Sequence, residues 1–329
     1  MVLPSTPERP FGALLTAMAT PMTRDGALDL EAAVKLAKKL VDDGNDGLVL
    51  NGTTGESPVT HAPEKAELVA AVVEAVGDRA AIVAGAGSND TAHTIRMAEQ
   101  AAAAGADGLL VVSPYYSRPT QEGLYQHFTA VAAATDLPVM LYDIPGRAGV
   151  RIAPETFVRL AENPRFVANK DATGDVWSAA QVIEATGLAW YSGDDGLLLP
   201  FLSVGGAGIV SVAAHVVAPW YAEVIRLWDA GDHTKALAAF RRAIPVISAL
   251  NGTGAQAVMT KAALQAQGVL DSRTLRLPNV AASDHEVATL RAVLTAVGLL
   301  EQDATPMSPP ELPEEATTIV GHPAIAQPR

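Results

Sequence analysis

From residue 13 onward the chain alternates short apolar runs with longer segments of helical period. The runs fall at 13–18, 47–51, 81–85, 108–112, 138–143, 166–170, 189–192 and 208–212. Runs of this length, bounded by turn residues, predict buried strands. The segments between them predict covering helices. In 29–43, Leu30, Val34, Ala37 and Val41 recur every three or four positions, while Glu31, Lys35, Lys38 and Lys39 largely take other faces. Strand-helix units spaced by roughly 20–35 residues and finishing near residue 230 predict an α/β fold of the (β/α)8, or TIM-barrel, type. An open doubly wound sheet fits less well, because no Gly-x-Gly-x-x-Gly turn with a following ribose-binding acid comes after the first strand.

The expected organisation is a barrel over 11–230, a helical region over 231–302 and a disordered tail over 303–329. Helical periodicity at 233–250, 253–267 and 284–299, with little strand character, predicts a small appendage that packs on the barrel or on a neighbouring subunit. The tail is rich in proline and acids and poor in large apolar residues, a composition that does not offset the entropy of ordering.

Composition narrows the class of function. With 49% apolar and 18% charged residues the chain can bury a sizeable core. The balance of 23 Lys+Arg against 36 Asp+Glu, a formal charge of −13, opposes nucleic acid and anionic membrane surfaces as partners. The first ten residues lack a basic region followed by an apolar run, and no apolar segment reaches spanning length, so a soluble cytoplasmic protein is expected. There are no cysteines, which removes disulfides, thiolate metal sites and thiol catalysis together. The seven histidines (61, 93, 127, 215, 233, 285 and 322) show no His-x-His or His-Glu-x-x-His spacing, so no metal site is expected.

In a barrel of this type chemistry sits on the loops after the strands. Lys170 ends the sixth run and opens the polar turn 171–175. A lysine there can enter a desolvated pocket, where the neutral amine is favoured and attacks carbonyl carbon; a solvated lysine at a strand end is the alternative. After the second run comes Asn51-Gly52-Thr53-Thr54-Gly55-Glu56-Ser57, with hydroxyls and N–H groups able to surround a carboxylate, or simply a Gly-rich turn. Tyr115 and Tyr116 lie side by side after the fourth run, either aimed at different sites or serving as packing residues. Tyr142, at the end of the fifth run, would stand beside Lys170 within range to relay protons. Arg147 offers a planar fork for a carboxylate, or a surface ion pair. Together these groups suit condensation of a 2-oxo acid with a second carboxylated substrate.

The ordered set GTTGES at 52–57, SPYYSRPTQEGLYQHF at 113–128, YDIPGR at 142–147, KDATGD at 170–175, SGDD at 192–195 and GGAGIVSV at 205–212 resembles the dihydrodipicolinate synthase family, over roughly residues 11–300. The wider family of pyruvate aldolases shares the lysine, the Tyr142 position and the Gly-Thr/Ser-Thr-Gly-Glu loop. The arginine at 147 is similar to the synthase branch, where it binds the carboxylate of aspartate semialdehyde; the sialic-acid lyases differ there. The resemblance implies a class I aldol condensation without cofactor, through a covalent imine between Lys170 and pyruvate, in lysine and diaminopimelate biosynthesis. It further implies that Thr53, Tyr142 and Tyr116 form the proton relay, Tyr116 reaching a neighbouring subunit. Thr54 and the main chain at Val210 would hold the pyruvate carboxylate, with Gly193 in the substrate site. Val210 stands where isoleucine is usual, Asp171 where glutamate is common and Asn169 where an apolar residue is common.

A dimer is then the smallest active unit, and a homotetramer of paired dimers the expected assembly. Lysine inhibits some members at a subunit interface. Ser57, Asn89 and Tyr115 match the inhibited pattern, but Lys65 replaces its histidine and His93 its glutamate, so weak or absent inhibition is expected: a cation at 65 repels the ligand's ammonium, and 93 no longer supplies an anion. Two other readings carry the same scaffold, an aldolase acting on a sugar acid and a non-catalytic ligand-binding barrel. Loss of Lys170, Tyr142 or Thr53 would favour the latter, and all three are present.

Overall fold

The computed structural model of the chain describes residues 9–251 and 255–301. Eight parallel strands close into a barrel in chain order: β1 (Leu14–Ala17), β2 (Gly47–Leu50), β3 (Ala81–Gly85), β4 (Gly108–Val112), β5 (Val139–Asp143), β6 (Phe166–Asp171), β7 (Ala189–Ser192) and β8 (Gly208–Ser211). The TIM-barrel expectation holds. Strand ends differ from the apolar runs by a residue or so. β6 includes Asp171, read from sequence as the first turn residue: its backbone pairs with Asp143 on one side and Ser192 on the other, although its side chain is polar.

Alternation along each strand sorts side chains into two layers. The lumen holds Leu15, Ala17, Val49, Val83, Leu110, Met140, Tyr142, Ala168, Ala189, Tyr191 and Val210, with Phe11 packed among them. The opposite faces contribute Leu48, Leu50, Ile82, Ala84, Leu109, Val111, Leu141 and Trp190 to the layer beneath the helices. The helix Leu30–Asp42 is representative of that layer: Ala33, Leu36, Ala37, Leu40 and Val41 are buried, and the Asp29 carboxylate caps its start by accepting from the Ala32 N–H. Inward residues near the C-terminal strand ends therefore face a lumen floored by apolar groups.

Three further helices, His233–Asn251, Gln256–Ala266 and Asp284–Ala296, follow the barrel. They pack on the barrel's own last helix, Ala214–Asp229, around Tyr221, Phe240, Val246, Leu250, Met259 and Leu290. The segment 267–283 between the second and third of them returns to the C-terminal side of the barrel, where Arg276 bonds Glu64, the Val59 carbonyl and the Gly26 carbonyl. The appendage thus packs on the chain's own barrel. The tail expected to be disordered lies outside the described residues. No helix among the described residues is long and apolar enough to cross a membrane.

The seam between β8 and β1 closes the barrel, and it depends on one close approach. A Cβ on Gly208 would fall 1.9 Å from the Ala13 carbonyl oxygen. Backbone cannot yield there without opening the Leu14↔Ile209 and Leu15↔Val210 pairing. Gly208→Ala is expected to cost about 2–3 kcal/mol, read as a lowered thermal midpoint. Gly146→Ala, where a Cβ meets nothing within 4 Å, serves as the control and is expected to leave the midpoint within about a degree.

Candidate active site

Lys170 lies on the inward face of β6, two residues beyond Ala168, with Tyr142 of β5 and Tyr191 of β7 as its register partners. Its side chain is buried, and the residue keeps 6% of its surface exposed. The ammonium faces an aromatic ring rather than a carboxylate, with Nζ 4.5 Å from the centroid of Tyr142. Burial pushes the Lys170 pKa from 10.5 down to about 8; Asp195 opposes the shift and Arg147 adds to it. The solvated strand-end lysine weighed from sequence is not what the fold builds.

Tyr142 is also buried, and burial pushes its phenol up to about 12 against the pull of Arg147 and of the neighbouring Thr53 side chain. The loop after β2 and the end of β5 thus meet at one cavity. A cavity of about 740 Å3 opens at this point, lined among others by Thr53, Tyr115, Tyr116, Tyr142 and Arg147. Lys170 lies against Tyr142 at the cavity wall rather than among its lining residues. Arg147, in the short helix Pro145–Ala148, is exposed and makes no ion pair among the described residues, which leaves its fork available to a bound anion. Ser57, Lys65 and His93 line the outer part of the same cavity, and the Lys65 ammonium donates to Ser57 Oγ at 3.0 Å. Burial lowers the Lys65 pKa.

Thr54, Val210 and Gly193 fall around this cavity rather than on its lining. Thr54 is buried within the β2 loop. Val210 occupies the lumen on β8. Gly193 follows β7, its N–H donating to the Asp171 carbonyl at 2.6 Å; a Cβ there would lie 2.9 Å from that same oxygen. Tyr116 stands apart: it is 90% exposed on a backbone with φ 73°, and Arg118 nearby has φ 47°. A large aromatic residue held in the left-handed region and projecting outward is strained in a way that surroundings must over-determine.

Asn169 and Asp171, which depart from the residues common beside the family's lysine, point the other way. They alternate with Lys170 and face the layer under the helices, where the Asp171 carboxylate accepts from Trp190 Nε1 at 2.9 Å and from the Thr173 N–H at 2.7 Å. Asn169 is fully buried and its amide has no hydrogen-bond partner. Asp143, the register partner of Asp171, faces the same layer; burial raises it to about 7, with the Ile152 N–H opposing and Asp171 adding. This side of the strand ends is separated from the lumen by backbone.

Two carboxylates had no individual sequence signal beyond their place in a motif. Asp195 is buried after β7 and accepts from the Ser211 hydroxyl, from the Val212 and Ala213 N–H groups at 3.3 and 3.0 Å, and from Asn251 Nδ2 at 3.3 Å. Glu56 is buried at the end of the β2 loop and paired with Lys261. A lysine inside the mostly apolar stretch 256–266 was the available hint for that pair.

The sequence pattern of the dihydrodipicolinate synthetase family matches residues 10–297. A 4-hydroxy-tetrahydrodipicolinate synthase of Streptomyces coelicolor is 57% identical over 296 residues, covering 90% of this chain and 98% of its own. Among solved structures, dihydrodipicolinate synthase from Bacillus anthracis is 42% identical with a TM-score of 0.84, covering 87% of this chain and 98% of that one. The enzyme from Cyanidioschyzon merolae, solved with lysine bound, is 39% identical with a TM-score of 0.85, covering 88% and 99%. With a closed barrel, a buried lysine beside a tyrosine at its mouth, and a match across nearly all of its described length, the chain belongs to the dihydrodipicolinate synthetase family.

Proposed function

We propose that the protein is a Schiff-base-forming lyase, a 4-hydroxy-tetrahydrodipicolinate synthase, that condenses pyruvate with L-aspartate 4-semialdehyde on the route to diaminopimelate and lysine. The observation that carries this reading is the desolvated Lys170 amine against the Tyr142 ring. A pKa of about 8 leaves roughly a tenth of the amine neutral at pH 7, against well under a thousandth at its ordinary value.

The neutral amine attacks C2 of pyruvate, and the carbinolamine loses water to give the imine. Loss of a C3 proton then gives an enamine, whose carbon attacks the aldehyde of the second substrate. Attack of that substrate's amine on C2 closes the ring and expels Lys170. Each step moves a proton, and Tyr142 with Thr53 beside it forms the inner part of the relay. Thr54 and the main chain at Val210 hold the pyruvate carboxylate, with Gly193 bordering the same site. Arg147 receives the carboxylate of the semialdehyde. The imine makes a separate cofactor unnecessary, and no group of metal-binding side chains occurs among the described residues.

Tyr116 completes the relay of a neighbouring subunit in this reading. Its exposure and left-handed backbone support that role, since a residue so held gains its packing from outside its own chain. The assembly is a homotetramer of paired dimers acting in the cytoplasm, with the barrel over 11–230 as the catalytic unit and 231–302 as its helical appendage. Small carboxylated substrates, not nucleic acid or membrane, suit a chain of charge −13 whose cavity nevertheless presents Arg147 and Lys65.

Borohydride reduction in the presence of pyruvate is expected to fix a mass adduct on Lys170, located by peptide mass spectrometry. An unmodified Lys170 in the folded protein would remove the class I mechanism. Because only the unprotonated amine attacks, lowering its pKa moves activity to lower pH: imine formation should rise about tenfold between pH 7 and pH 9, with its midpoint near 8. A midpoint near 10.5 would mean a solvated lysine. Lysine at about 1 mM is expected to leave most of the condensation rate intact, because Lys65 repels its ammonium and His93 supplies no anion; a rate cut in half well below that concentration would contradict this.

A further inference from the structure

Thr53 lies beside Tyr142 on the loop after β2, which the Thr20 hydroxyl anchors from the barrel side by donating to the Gly55 carbonyl at 2.7 Å. Its turn is closed by two main-chain bonds, Glu56 N–H to the Thr53 carbonyl at 3.1 Å and Ser57 N–H to the Gly52 carbonyl at 3.2 Å. Glu56 takes a left-handed backbone, φ 57° and ψ 37°, a conformation a non-glycine residue keeps only where its surroundings enforce it. The contact on the Glu56 side chain comes from outside the barrel. The Glu56 carboxylate accepts from the Lys261 ammonium on one oxygen and from the Arg276 N–H, at 2.9 Å, on the other.

Lys261, on the helix Gln256–Ala266, also donates to the Thr274 carbonyl at 2.8 Å. Neither charged side chain has any exposed surface. Burial lowers the Lys261 pKa, and Glu56 opposes that shift. A buried ion pair contributes little stability beyond what well-packed apolar residues would supply, but it specifies one geometry sharply.

We propose that Glu56 and Lys261 are positioning residues for the condensation: through them the helical appendage sets the loop 52–57 so that the Thr53 hydroxyl meets Tyr142. The path runs from Lys261 to Glu56, through Thr54 and Gly55 to Thr53, and on to Tyr142 and Lys170. The inference rests on the function proposed above. It adds that the relay's geometry is set from beyond the barrel, by a residue about 90 positions after the imine-forming lysine in the chain.

The test compares the full-length protein with Glu56→Gln, Lys261→Met and the double variant carrying both. Each single change leaves a buried partner unanswered and is expected to lower the thermal midpoint, whereas the double variant removes both charges and should recover most of it. The condensation kcat of the double variant is expected to stay 10- to 100-fold below that of the unaltered protein. Recovery of kcat together with the midpoint would reduce the pair to a structural role and overturn the proposal.

Should the double variant not fold, a cycle of Glu56→Gln with Thr53→Val decides. Loss of the Thr53 hydroxyl should cost little further rate once Glu56 is altered, and additive losses would overturn the proposal. Borohydride trapping of pyruvate by the unaltered protein keeps the two questions separate. Failure there rejects the proposed function, while normal trapping with additive or fully recovered variants rejects only the positioning role.

Discussion

Removal of water from one lysine is the constraint on which the rest of this molecule depends. An ammonium taken into a closed apolar lumen loses its hydration, and the neutral amine is favoured in proportion. That requires a barrel with no gap in its wall, a packed floor of the Leu15, Val49, Val83 and Met140 type, and no carboxylate placed to hold the proton. The last condition is met in a particular way. Asp195, the carboxylate whose charge acts on Lys170, is engaged by Ser211, Val212, Ala213 and Asn251, and the face nearest Nζ is the Tyr142 ring.

Both buried acids of the mouth loops, Glu56 and Asp195, have a partner beyond the barrel, although Asp195 is also held by Ser211, Val212 and Ala213. Asn251 ends the first appendage helix and bonds Asp195; Lys261 lies on the second and pairs with Glu56. Arg276 then ties the following segment to Glu64, whose carboxyl its guanidinium holds at about 2, well below the ordinary range. An eight-strand barrel supplies the lumen, while these contacts fix two of the loops that cover it. Burying charge is costly unless each group is satisfied, so such contacts tolerate few alternative arrangements. The mouth is therefore a joint product of two regions far apart in the chain.

Alternation along β5 and β6 divides the strand ends into two chemical environments. Tyr142 and Lys170 face the lumen, while Asp143, Asn169 and Asp171 face the helix layer. Neighbours in sequence are thus separated by a wall of backbone, and an unusual residue type beside the lumenal lysine need not act on it. The unpartnered amide of Asn169 lies on the outer side of that wall.

The fold class was legible in the chain itself, because a parallel strand buried on both faces reads as a short apolar run wherever it occurs, and its covering helix as a 3.6-residue period. The lumenal lysine, Tyr142 and the hydroxyl loop were legible as well, each lying at the end of such a run, in motifs whose order resembles one family. Only the tertiary structure decided the rest. Which face of β6 carries Lys170, that Asp171 belongs to the strand, that the appendage packs on its own barrel and that Lys261 meets Glu56 are long-range facts, with 205 residues separating the last pair. Local patterns are set by interactions within a few residues, and they specify elements. The pairing of buried charges, and the loss of water that tunes an amine, arise from groups brought together by closure of the whole chain, so no local window of the sequence contains them.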